Sequence, residues 1–255
     1  MCNKINRIHF YLSKGVLILL VYLPGLCSWS QSEETVSKFY DAIFSDNERV
    51  VIELLESNEF PGNSEPTGKI APLQAAIWQN NFNVAITLIE HGANVNSTSY
   101  STVLVAAEYG ACEILAYLVE HGASFREIES FRTAGFYQHY GCARFLLEQG
   151  ANQEIGDLRG KIWVLHEAVL RADYGVLDLL ILSPEEMNAM NCEGENALII
   201  AVKQRDVQLV KYLLKRGADK NTPETFDCGD DISFGLTPAL IAKKNKDVKM
   251  QNALK

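Results

Sequence analysis

The stretch Ala71–Ala93, APLQAAIWQNNFNVAITLIEHGA, decides the fold. A proline second in line fits the first turn of a helix, where its missing N–H is no loss. Ala75-Ala76 form a small pair that lets a neighbouring helix come close. Val84, Ile86, Leu88 and Ile89 then recur at helical spacing, which reads as a second helix. Gly92 ends that helix where a left-handed residue is wanted. Two helices this short cannot bury their apolar faces alone, so the unit needs neighbours of its own kind.

The neighbours are present. Glu120–Ala123 repeats EHGA, Glu148–Ala151 reads EQGA and Lys215–Ala218 reads KRGA. Gly92, Gly122 and Gly150 are 30 and 28 residues apart, and the 67 residues from Gly150 to Gly217 leave room for two units. A period near thirty residues marks a solenoid of stacked units and moves the functional question from a pocket to a surface.

Each closing glycine has an opening about twenty-one residues upstream. These read Ala71–Ile77 APLQAAI, Ser101–Ala107 STVLVAA and Asn196–Val202 NALIIAV, with Leu236–Ala242 LTPALIA opening the last unit. Trp163–Val169, WVLHEAV, opens a unit inside the long gap, and its closing position falls on Pro184. At the N-terminal end Ala42-Ile43 take the small-pair positions and Asn58 the closing one. These openings resemble the T-P-L-H-x-A-A start of the ankyrin repeat. The resemblance implies an all-α ankyrin-repeat solenoid of about seven helix-turn-helix units with hairpin loops. The units fall at roughly 35–63, 64–96, 97–124, 125–155, 156–188, 189–221 and 222–255. The fourth is degenerate, with Gly135 where the second alanine belongs.

Residues 1–30 read differently. Lys4, Arg7 and Lys14 precede an apolar run from Gly15 to Leu23, then come Pro24-Gly25 and small residues at Ser28 and Ser30. That is the order of a cleaved signal peptide over 1–30, with 31–255 as the repeat domain. Leu26 before Cys27 argues against a lipid-attachment site. Periplasmic or secreted placement is the expectation; the alternative is a membrane-anchored scaffold that keeps its leader. All 32 acidic residues follow residue 30, and three of the 23 basic ones precede it, so residues 31–255 carry 20 basic against 32 acidic, a net −12. Such a balance disfavours nucleic acid and anionic membrane as partners.

Of the cysteines after residue 30, Cys142 is placed by register on the buried side of a second helix, acting as a small apolar residue. Cys192 and Cys228 precede adjacent openings, and an oxidising compartment would permit a bridge between them. No Cys-x-x-Cys, nucleophile elbow, phosphate loop or His-Glu-x-x-His occurs. No enzyme activity, cofactor or metal is therefore expected. His166 takes the repeat's Leu-His position, where the resemblance implies an imidazole tying loops together, while His91 and His121 precede closing glycines and His139 reads as a surface residue.

The resemblance also implies where a partner would sit, on a concave face made from hairpins and the exposed side of each first helix. By register that face receives Trp78, Tyr100, Tyr109, Phe125, Phe136, Tyr137 and Arg171, an aromatic and arginine composition suited to a protein-binding hot spot. A monomer that binds a protein partner is the functional expectation: an inhibitor, an immunity factor or an accessory scaffold of a periplasmic enzyme, with a secreted host-directed effector as a further alternative. The acidic segment Asn221–Gly235 stretches the last unit and offers a second surface or a spacer.

Overall fold

A computed structural model of the chain describes residues 32–57, 60, 70–96, 100–227 and 232–255. The leader, Asn58, Cys228, Asp230 and Asp231 lie outside them, and with them the signal-peptide expectation and one partner of the Cys192–Cys228 bridge. The described residues form helix pairs in chain order: α1 Glu33–Phe44 with α2 Glu48–Glu56, α3 Pro72–Trp78 with α4 Phe82–Glu90, and α5 Thr102–Tyr109 with α6 Cys112–Glu120. Next come α7 Ser130–Phe136 with α8 Tyr140–Glu148, and α9 Leu158–Leu170 with α10 Tyr174–Leu179. A short α11, Pro184–Met187, precedes α12 Ala197–Lys203 with α13 Val207–Lys215 and α14 Pro238–Lys244 with α15 Val248–Ala253. Seven pairs in the expected register make this the all-α repeat solenoid.

The local chemistry explains the starts and stops. Ser101, Asn196 and Thr237 accept from the backbone N–H three residues on and so cap α5, α12 and α14, satisfying donors that the first turn leaves open. Pro72 stands at the start of α3, where the capping residue Ala71 offers no side-chain bond. The closing glycines Gly92, Gly122, Gly150 and Gly217 are all left-handed, with φ between 77° and 99°. A second left-handed residue recurs between the two helices of each unit. It is Gly110 once and otherwise Asp46, Asn80, Gln138, Ala172, Arg205 or Lys246.

The core runs as one ribbon between the layers. Ala75, Ala76, Ala106, Ala107, Ala134, Ala168 and Ala201 are fully buried, so first helices approach closely. Gly135 turns the apparent degeneracy of the fourth unit into a packing device. A Cβ on Gly135 would lie 2.2 Å from the Gly160 carbonyl oxygen, and one on Gly160 would lie 1.9 Å from that of Arg132. Backbone meets backbone where α7 crosses α9. The fifth unit departs from its expected form at both ends. Asp157 caps α9 six residues ahead of the expected opening at Trp163, so Ile162 is inside a helix and buried. α10 ends on extended Leu180, and Ser183 starts α11 with a reciprocal capping box to Glu186.

Hairpin loops are tied by side-chain amides. Asn96 donates to the Gly122 carbonyl at 3.0 Å and accepts from the Ser124 N–H at 2.8 Å. Gln153 repeats this one unit pair later, donating to Leu179 and accepting from Ile181, both at 2.9 Å. The Asn221–Gly235 segment is no free spacer along its described part. β1 Thr225–Asp227 pairs antiparallel with β2 Ile232–Phe234, with Thr225 opposite Phe234.

Candidate binding face

First helices end on one face, and the residues of their last turns decide what that face offers. Trp78 ends α3, Tyr109 ends α5 and Phe136 ends α7, with Tyr137 next in line. Their side chains are forced outward because the preceding small residues take the inward positions. Trp78, Tyr100, Tyr109, Phe136 and Tyr137 are each between 40 % and 50 % exposed, which is high for rings of this size. Trp78 and Tyr109 lie 5.7 Å apart between centroids, and Phe136 meets Tyr137 edge-on at 5.3 Å. Five of the seven expected residues therefore make one exposed aromatic stripe across the second to fourth units.

Two expected residues are engaged within the molecule instead. Phe125 is only 8 % exposed and joins the core, with the Arg126 guanidinium over its ring at 5.2 Å. The hairpin turns it inward, where it packs instead of waiting for a partner. Arg171 is half exposed but engaged: it pairs with Glu167 and lies 4.5 Å over the Tyr140 ring. Tyr140 in turn donates to Asp173 at 3.0 Å. Arg171 thus braces the joint between fourth and fifth units.

Carboxylates line the stripe. Glu108 lies beside Tyr137, and its charge, with some help from burial and from the hydrogen bond between them, holds the Tyr137 phenol above its usual range. Tyr100 and Tyr109 are near enough to add to that effect. Next to it a hollow of about 170 Å³ is lined by Glu129, Thr133, Phe136, Tyr137 and Asp157. Arg159 lies along its rim, 4.7 Å over the Phe136 ring and 2.6 Å from Asp157. At the far end Glu224 closes the face, accepting from Lys203 and from the Leu236 N–H at 3.0 Å. Burial pushes the Glu224 carboxyl up, but these bonds outweigh it and hold the group below the usual carboxylate range.

The cysteines correct the sequence reading. Cys112, at the start of α6, and Cys142, in α8, form a disulfide with Cα atoms 4.8 Å apart. Cys142 is fully buried as expected, yet it is half of a bridge between two units, not a free thiol. The 30-residue separation is two more than the local repeat step of 28 from Gly122 to Gly150. Cys112 is the first residue of α6 and Cys142 the third of α8, so register alone does not pair them. Cys192 is an exposed free thiol among the described residues.

Three further titratable groups, His166, His139 and Lys161, hold the structure together. His166 donates to the Ala189 carbonyl at 3.0 Å, as the repeat pattern implies, and burial lowers its pKa to about 4. His139 is not a mere surface group; its Nε2 donates to the Glu108 carbonyl at 2.9 Å, and the ring covers Gly110 so closely that a Cβ there would clash at 2.5 Å. Lys161 carries no mark in the sequence that singles it out. It is wholly buried and held by Glu154 at 2.8 Å and Glu186 at 3.0 Å, joining the fourth hairpin to α11. Among the described residues no cluster of His, Cys, Asp and Glu is placed to hold a metal ion, and no helix is long and apolar enough to cross a membrane.

Comparison with known proteins fits this geometry. A family model described as ankyrin repeats matches residues 39–130 and 165–254. An ankyrin repeat protein of Fowlpox virus is 34 % identical over 122 residues, covering 48 % of this chain and 24 % of the relative. An L-asparaginase of Dirofilaria immitis is 30 % identical over 176 residues, 54 % of this chain and 28 % of that protein. The chain spans about a quarter of the length of these relatives. Among solved structures, the ankyrin repeat domain of human ASB11 aligns with a TM-score of 0.51 at 19 % identity, over 71 % of this chain and 83 % of the other.

Proposed function

Because the chain belongs to the ankyrin-repeat family, whose units stack into protein–protein interaction modules, we propose that it is an exported, non-enzymatic binder that takes a protein partner on its first-helix face. The stripe from Trp78 to Tyr137 carries this reading: five large rings half in water along one face, where a free-standing surface would bury or avoid them. Aromatic side chains of this kind supply most of the energy of a typical interface. The asparaginase likeness covers a minor part of that enzyme, 28 % of its length.

Export is supported by two independent features. The first is the signal-peptide order of residues 1–30. The second is the Cys112–Cys142 bridge, which persists in oxidising compartments and is rare in reducing ones. A periplasmic inhibitor, immunity factor or enzyme scaffold would combine both with a monovalent binding face.

The test is a pull-down of the tagged chain from periplasmic extract beside Trp78→Ala/Tyr109→Ala. The double variant should keep its melting temperature and lose its partner at least tenfold, about 1.4 kcal/mol. If it unfolds, those rings are core and the reading fails. Intact mass gives the export half: cleavage near Ser30 removes about 3 kDa, and a full-length chain in cells would favour the anchored form instead.

A further inference from the structure

The stripe is not simply apolar; its charges are arranged with one sign unspent. The cations of this face are committed within the molecule: Arg171 to Glu167, Lys203 to Glu195 and Glu224, and Arg159 to Asp157. Arg132 is buried against Glu154 and the Gln153 and Gly156 carbonyls. Glu108 and Glu129 have no basic partner among the described residues, although both stand beside exposed rings. A partner that leaves these carboxylates desolvated and unpaired would lose affinity. One that brings a cation gains an ion pair and a π-face together.

The molecule displays the arrangement once itself. Arg159 lies over Phe136 while its fork meets Asp157, beside the hollow that Glu129 and Tyr137 also line. A guanidinium from outside would find the same combination at Glu108, among Trp78, Tyr109 and Tyr137. The net −12 of residues 31–255, 20 basic against 32 acidic, would draw such a segment in over a distance.

We propose that the occupant of this face is an extended, Arg- or Lys-bearing segment of a partner protein, with one cation seated at Glu108 among the Trp78, Tyr109 and Tyr137 rings and a second at Glu129 beside Phe136. This rests on the protein-binding reading given above and names the chemistry of the partner.

The probe is a phage-displayed library of random peptides about 12 residues long, roughly 40 Å when extended, selected on the full chain. Arg and Lys should be enriched among retained peptides. Binding of the retained peptides should fall at least tenfold for Glu108→Gln/Glu129→Gln, and hardly at all for Glu113→Gln/Glu120→Gln on the exposed side of α6. Melting curves show that all variants are folded. Equal weakening by both pairs would mean that net charge alone attracts the peptides, which overturns the site. Enrichment of acidic or wholly apolar peptides, lost on Trp78→Ala/Tyr109→Ala but not on the carboxamide pair, would overturn the basic occupant and leave the binding face standing. Basic peptides that survive the aromatic double variant would remove both.

Discussion

A left-handed glycine and a crowded glycine look alike in the sequence but have different uses in this fold. Gly92 has φ of 90° and open space around an added Cβ, so Gly92→Ala should cost about 1 kcal/mol, the penalty of a left-handed alanine. Gly135 sits within the α7 helix, yet a Cβ there would come 2.2 Å from the Gly160 carbonyl oxygen. Gly135→Ala must push α7 off α9 and should cost at least about 2 kcal/mol. Comparing the two melting temperatures checks this; equal shifts would mean the helices do not cross so closely. The first glycine was legible from its place in the repeat. The second reads as decay of the pattern, because a close approach between helices leaves no local sequence mark.

His166 gives a residue-scale prediction in pH. Its pKa is lowered from 6.5 to about 4 by burial, so the folded chain binds fewer protons than the unfolded one between those values. Its contribution is complete above pH 6.5 and is lost as pH falls towards 4, to a total of about 3 kcal/mol. Denaturant midpoints measured between pH 7 and 4 should decline in the native chain and decline less in His166→Gln. A flat profile in the native chain would mean the imidazole is not desolvated.

At the scale of elements, what matters is how one unit is fixed to the next. Alanine pairs, amide clamps and the His139 and His166 bonds each join neighbours, and the Cys112–Cys142 bridge does so covalently between α6 and α8. Closing a loop of this length stabilises by about 2–4 kcal/mol. Reduction, or Cys112→Ser, should therefore lower the melting temperature clearly, while Cys192→Ser should leave it unchanged. If the two cysteine variants behave alike, the bridge is not formed in solution. The helices themselves were legible from caps, periodicity and closing glycines. The bridge escapes a reading that judges Cys142 by its own burial and register, because its partner Cys112 holds a different place in its helix, first in α6 where Cys142 is third in α8. Phe125 fails for a related reason: a hairpin residue's side is fixed by the loop's turn, which register along the helices does not report.

Across the whole molecule, three of the seven units bring into one stripe residues that lie 59 positions apart in sequence, Trp78 to Tyr137. Repetition is what made five of those positions readable without a structure: the same place in successive units faces the same way. The charges around them were not readable. Whether Glu108 or Arg171 is free depends on neighbours from other units, and only the fold shows that Arg171 is spent on Glu167 and Tyr140 while Glu108 stands among rings.

The central claim is that this stripe, and no other side, meets the partner. Site-specific photocrosslinking in cells tests it most directly, with a benzoylphenylalanine placed at Tyr109 on the stripe or at Glu113 on the exposed side of α6. One discrete protein adduct from Tyr109 and none from Glu113 is the expected result. An adduct from Glu113 with none from Tyr109 would put the partner on the opposite side and contradict the account.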